Sequence, residues 1–188
     1  MGPTDLLKPV IERHFNGTVH FGRVTAKPGK PTTFASIPGG KNGERKPVFA
    51  LPGNPASALV TFHVFVVPAL RKMGGWPTAQ CQLPRVRVLV CSFYKKILYA
   101  LASLIRFVWQ LQNEMKLDPR TEFHRVVIRV GKEELTATST GGQRSSRVAS
   151  LSGANGLVML PPRKEHGPQK LEQGEFAEAV VIGEIQMS

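Results

Sequence analysis

The sequence predicts an α/β segment over residues 1–78 followed by a small, mainly β domain over residues 79–188. Two observations carry that prediction. The stretch Val48-Phe49-Ala50-Leu51-Pro52-Gly53-Asn54-Pro55-Ala56-Ser57 is an apolar run that enters a tight turn and then a helix start. Past Trp76-Pro77-Thr78 the helical spacing gives way to short runs rich in β-branched residues. In the first stretch, four apolar residues without polar alternation suit a strand covered on both faces. Pro52 and Gly53 then supply a fixed and a permissive φ for the turn. Asn54 is a favoured N-cap type, and Pro55 fits the first helical position, where no N–H is needed. The free N–H groups near Ala56, Ser57 and Ala58 suit an oxyanion or a phosphate, although a plain αβ connection would carry the same residues.

The elements follow in order. Apolar residues at Leu6, Leu7, Val10, Ile11 and Phe15 have helical spacing, displaced or kinked at Pro9. Residues 19–25 read as a strand and residues 32–37 as another, and between them Lys27-Pro28-Gly29-Lys30-Pro31 offers two lysines from one compact turn. That pair is either solvated decoration or an anion clamp opposite the helix start. Residues 38–46 form a polar, Gly-rich hairpin loop before the strand at residues 48–51. The helix from Pro55 carries Leu59, Phe62, Val66, Ala69, Leu70 and Met73 on one side. It stops at Gly74-Gly75 after Arg71-Lys72, and Pro68 should bend it. Up to residue 78 the only carboxylates are Asp5, Glu12 and Glu44, too dispersed for a magnesium site.

In the second part, strands are predicted at residues 86–90, 123–130, 135–138, 157–160 and 177–182. Over residues 123–130, Val126, Ile128 and Val130 share one face while Arg125 and Arg129 share the other, toward ligand or solvent. The loop Thr138-Ser139-Thr140-Gly141-Gly142-Gln143-Arg144-Ser145-Ser146-Arg147 either wraps an anion with hydroxyl and backbone donors or is a surface turn. An atypical insert at about residues 91–115 does not fit this pattern: its residues 97–111 are apolar nearly all round and helix-like. They are shorter than the ~20 residues of a membrane span and include Arg106. An inserted helix, an interfacial segment or translated non-coding sequence would each account for them, the last best matching the lack of any surface built to cover them.

Composition sets outer bounds. With 188 residues, 41% of them hydrophobic, the chain can bury a real core. A net charge of +12 suits an anionic partner without choosing among nucleic acid, membrane and small substrate. No long basic run and no aromatic-basic interleaving supports nucleic acid. Two cysteines, Cys81 and Cys91, are too few for a disulfide scaffold or a four-ligand zinc site and fit a reducing cytosol. No secretory signal is visible at the N-terminus.

Taken together, His20-Phe21-Gly22-Arg23-Val24, the lysine turn, Phe49 to Ser57, Phe65 to Met73, Lys116-Leu117-Asp118-Pro119-Arg120, Phe123-His124-Arg125, Ser145-Ser146-Arg147 and Ala154-Asn155-Gly156-Leu157 resemble the molybdopterin molybdotransferase family. The likeness is greatest to the C-terminal part (E domain) of gephyrin-like proteins. The resemblance implies that residues 1–78 are the C-terminal portion of a molybdopterin-binding-like α/β domain. It implies molybdenum cofactor biosynthesis, in which adenylylated molybdopterin and molybdate react, AMP leaves and magnesium assists. On matching positions Lys27, Lys30 and Ser57 would be catalytic, and Pro52, Gly53, Asn54, Pro55, Arg125, Ser145 and Ser146 would bind substrate. Arg125 and the serine loop would approach from a neighbouring subunit, because the family works as a homodimer in the cytosol. Family members carry their magnesium-holding acidic residues upstream of the point matching Met1, so this chain is expected not to complete an active site alone and to hold no metal of its own. The alternative the family offers is a scaffold at the membrane cytoskeleton that binds a receptor cytoplasmic-loop peptide through an aromatic-lined groove. Phe123 and Pro161-Pro162 match that groove, whereas Arg163-Lys164-Glu165-His166-Gly167-Pro168 lacks its aromatic.

Overall fold

The structure, a computed structural model, describes residues 6–39, 43–91, 115–144 and 148–187. Helix α1 (Leu7–Pro9) widens at once into a turn with i→i+5 bonds over Val10–His14, which accommodates Pro9 where the sequence predicts a kink. Strands β1 (Thr18–Phe21), β3 (Thr33–Pro38) and β4 (Arg45–Ala50) form an antiparallel sheet in the order β1-β3-β4. The strand expected over residues 19–25 stops short at Phe21. The register shifts between Val19 and Phe21, β1 ends there, and the chain resumes as β2 (Ala26–Lys27), which pairs elsewhere.

Phe21, Phe34 and Phe49 make an aromatic row across the three strands, with centroids 5.6 and 4.8 Å apart, and Phe65 of the following helix meets Phe21 at 6.2 Å. Contrary to the sequence expectation, β4 is not covered on both faces. Among the described residues it pairs only with β3, it contains Pro47, and Val48 to Leu51 are half-buried.

The next helix runs as α2 (Pro55–Thr61), a wide turn over Phe62–Val66, and α3 (Val67–Met73). The ladder thus changes pitch just ahead of Pro68, which lacks the N–H to continue it. By length and composition it is the one helix among the described residues able to cross a membrane, yet its inner side packs on protein. That inner side is Ala56, Ser57, Val60 and Val64 rather than the expected stripe, and Phe62, Leu70 and Met73 of that stripe are exposed. The short helix α4 (Thr78–Cys81) leads onward, tied to α3 where Lys72 donates to Thr78 at 2.8 Å.

Strands β5 (Arg85–Cys91), β7 (Thr121–Val130), β8 (Leu135–Ser139), β9 (Gly156–Leu160) and β11 (Phe176–Val181) close into a barrel, each pairing with the next in the cycle β7-β8-β5-β11-β9-β7. Only the β5–β8 pair is parallel in that cycle. These are the five strands predicted from sequence. Val88, Val90, Val126, Ile128, Ala137, Val158 and Leu160 fill the interior, and closure leaves none of the five with a free edge. Two-residue strands trim it: β6 (Met115–Lys116) pairs with β10 (Lys170–Leu171), and β12 (Gln186–Met187) lies parallel to β7.

Gly156 allows the closure, because a Cβ there would meet the Ile128 side chain. Asn155, in a stretch that reads as a turn, is the strut. Its Oδ1 accepts from the Ile128 N–H at 2.6 Å, and its Nδ2 donates to the carbonyls of Ile128 at 2.9 Å and Glu184 at 2.7 Å. The barrel's outer face carries a second cluster, Leu157 and Val180, on which Val60 and Val64 of the helix rest beside Phe123 and Met159. Residues 97–111, the apolar stretch noted in the sequence, lie outside the described residues.

Candidate functional site

Among the described residues, the sheet-and-helix part meets the barrel at the helix seat just described and at the strand β2. Strand β2 pairs in parallel with the start of β7, with Ala26 opposite Thr121 and Lys27 opposite Glu122. This pairing brings the lysine turn to the barrel rim. The turn is closed on itself by the backbone N–H and hydroxyl of Thr32, which both donate to the Gly29 carbonyl at 2.9 and 2.6 Å. Gly29 has φ +120°, and a Cβ there would run into Thr61 of α2, so only glycine lets the turn lie against the helix.

A cleft of about 630 Å³ opens along this seam. The turn supplies Lys27, Pro28, Gly29, Lys30 and Pro31; the helix entry supplies Pro52, Gly53, Asn54 and Ser57; the barrel supplies Arg120, Gln143 and Arg144. Its size is that of a small-molecule site. Asn54 occupies the N-cap position with extended backbone, and its carbonyl accepts from the Ala58 N–H at 2.8 Å. Its side chain does not cap the helix, and its buried Oδ1 has no hydrogen-bond partner among the described residues.

The electrostatics are layered. The Lys27 ammonium lies 3.0 Å from Glu122 Oε2 and 3.3 Å from Asp118 Oδ2. Arg120 grips the same Asp118 with Nε at 2.8 Å and Nη2 at 3.1 Å, and its backbone N–H adds a third bond at 3.0 Å. Behind them His124 has Nδ1 3.6 Å from Glu122 Oε1 and Nε2 2.8 Å from Ser139 Oγ. The hydrogen bonds from Arg120, opposed by burial and helped by Lys27, hold the Asp118 carboxyl well below the usual carboxylate range. Burial alone would raise Glu122, but the bonds from His124 and Lys27 outweigh it and bring it down. Burial likewise works against the Lys27 charge, and Glu122 and then Asp118 reverse that, lifting its pKa above 10.5.

The expected site residues divide as follows. Lys27, Lys30, Pro52, Gly53, Asn54 and Ser57 line the cleft together, and Pro55 follows as the first residue of α2. Arg125 does not line it. Sequence alternation places Arg125 toward ligand or solvent; instead it is 0% exposed, beneath the outer-face packing beside Leu157. Its Nε donates to Ser150 Oγ at 2.9 Å, its backbone N–H donates to Gln143 Oε1 at 2.8 Å, and its Nη1 and Nη2 have no partner among the described residues. Burial depresses its pKa against the opposing charge of Glu122. Ser145 and Ser146 lie outside the described residues.

The barrel of this chain supplies one side of the cleft. Arg120, Gln143 and Arg144 were missed as site residues. The signal available for Arg120 is the Asp118-Pro119 turn just before a strand, a geometry that aims a following arginine back at the carboxylate. Gln143 and Arg144 sit in the loop singled out for its donors. As for magnesium, no group of three His, Cys, Asp or Glu gathers among the described residues, and the two carboxylates near the cleft are engaged by Lys27 and Arg120. The residues present do not fit that ion.

Two family models match the chain: a probable molybdopterin binding domain over residues 1–72 and the MoeA C-terminal region (domain IV) over residues 109–182. Gephyrin of Dictyostelium discoideum is 41% identical over 202 residues, covering 98% of this chain and 24% of its own length. The molybdenum cofactor synthesis protein cinnamon of Drosophila melanogaster is 38% identical over 182 residues, covering 97% of this chain and 26% of its own length. Among solved structures, the molybdopterin biosynthesis moeA protein of Pyrococcus horikoshii OT3 superposes with a TM-score of 0.56 at 21% identity, over 87% of this chain and 32% of that one, a likeness of fold. The chain spans about a quarter of the length of these curated relatives.

Proposed function

The chain belongs to the molybdenum cofactor biosynthesis family of gephyrin, cinnamon and MoeA, and on that premise we propose that it supplies the anion-holding part of a molybdopterin molybdotransferase. The observation that carries this reading is the convergence of Lys27, Lys30, Arg120 and Arg144, drawn from both parts of the chain, on one cleft beside Ser57. Positive groups fixed in advance stabilise charge on a bound phosphate and on a departing AMP without having to reorganise. Adenylylated molybdopterin and molybdate are the anions of that reaction. Lys27 and Lys30 hold them, Ser57 and the backbone from Pro52 to Pro55 line their seat, and Ser145 and Ser146 belong to the same set.

Magnesium, on this reading, is held by residues outside this chain, and molybdate insertion by the 188 residues alone would refute that incompleteness. A homodimer and a cytosolic location are corollaries of the same proposal. The alternative of a scaffold for a receptor loop gains no observation here, since Phe123 is half-buried in the cluster under the helix.

The test is equilibrium dialysis of molybdate against the chain and its Lys30→Ala and Ser57→Ala forms. The expected result is saturable uptake weakened about tenfold or more by Lys30→Ala, the loss of one charge-assisted contact. Equal uptake by all three would remove the cleft from consideration.

A further inference from the structure

The four cations of the cleft are not equivalent. Lys27 and Arg120 are already held by carboxylates, whereas Lys30 and Arg144 face no carboxylate among the described residues. The carboxylates themselves stand behind the lining: the Glu122 side chain is 4% exposed and that of Asp118 15%. They are too enclosed to be chance surface partners, and each is braced a second time, Glu122 beside His124 and Asp118 by three contacts from Arg120. Carboxylates so placed serve no purpose in drawing in an anion, because they repel it. They do limit how much negative charge the cleft tolerates.

We propose that Asp118 and Glu122 are specificity-determining counter-ions that restrict the cleft to a ligand group of about two negative charges: a tetrahedral oxyanion, a phosphate monoester or a diphosphate esterified at both ends. Lys30 and Arg144 provide the uncompensated attraction for that charge. Lys27 and Arg120 act as fixed donors whose own charge is cancelled from behind. A group with a third or fourth negative charge, such as a free terminal diphosphate, meets the two carboxylates with no cation left to offset it. The proposal rests on the anion-binding reading of the cleft.

The experiment is calorimetric titration of the whole chain at about pH 8 and one ionic strength, with inorganic phosphate as the dianion and inorganic pyrophosphate as the more highly charged probe. In the unaltered chain pyrophosphate should bind no more than a few-fold tighter than phosphate. In Asp118→Asn and in Glu122→Gln the preference for pyrophosphate should rise on the order of tenfold, and Glu122→Asp, which keeps the charge, should restore the original ratio. Should Glu122→Gln fail to fold, Asp118→Asn at the less buried position carries the test. An unchanged ratio in the folded neutral variants, with phosphate still bound, overturns this proposal alone. Failure of the unaltered chain to bind either probe overturns the anion-binding reading with it.

Discussion

The barrel and the three-stranded sheet before it deal with sheet edges in opposite ways. In the barrel every strand of the cycle has two neighbours, and the interior from Val88 to Leu160 is sealed. In the sheet β4 has one neighbour among the described residues, its apolar run is half-buried, and the helix after it turns Phe62, Leu70 and Met73 outward. The same chain thus holds one self-sufficient unit and one that leans on it, through Val60 on the outer face and Lys27 at the rim. The cleft falls at the seam because a cleft needs two walls that meet without fusing, and neither part has that arrangement by itself.

The comparison predicts a graded set of outcomes. Ile128→Ala, in the sealed interior, should cost about 2–5 kcal/mol of stability in denaturant unfolding. Asn155→Ala should follow at ~2–3 kcal/mol, because it strands the buried N–H and carbonyl of Ile128 together. A smaller loss should come from acid. Asp118 and Glu122 are held below their ordinary values of 3.8 and 4.5, so their contribution is fully present above about pH 5 and disappears as the pH falls through the lowered values. Proteolytic nicking of the lysine turn at falling pH, before the barrel itself yields, is the expected readout; simultaneous loss of both would mean the seam is no weaker than the core. Lys27 has the opposite sign, its contribution being present below 10.5 and lost as the pH rises through its raised value. Smallest of all, Leu70→Ala on the 53%-exposed helix face should change stability by less than about 0.5 kcal/mol. A cost matching that of Ile128→Ala would show that this face is covered and would break the contrast.

What was legible beforehand was what neighbours in sequence decide. The five barrel strands follow from alternation, the helix entry from Pro52-Gly53-Asn54-Pro55, the compact lysine turn from its glycine and prolines, and both proline-bearing helices change pitch near the proline. The cover of β4 was misjudged for a related reason: an apolar run reports what a strand would bury, and not whether anything lies against it.

The sequence by itself thus determined the kinds of element, their order and half the lining of the cleft. Only the tertiary structure decided that Lys27 faces Glu122, through a two-residue strand too short to leave a periodic signal. It also decided that Arg125 lies under the packing on the barrel, that Arg120, Gln143 and Arg144 complete the cleft, and that Asn155 is a strut rather than a turn residue. Each of those depends on partners far apart along the chain, and the free energy of such a contact is set by which surfaces meet when the barrel closes, a quantity that local propensity does not encode.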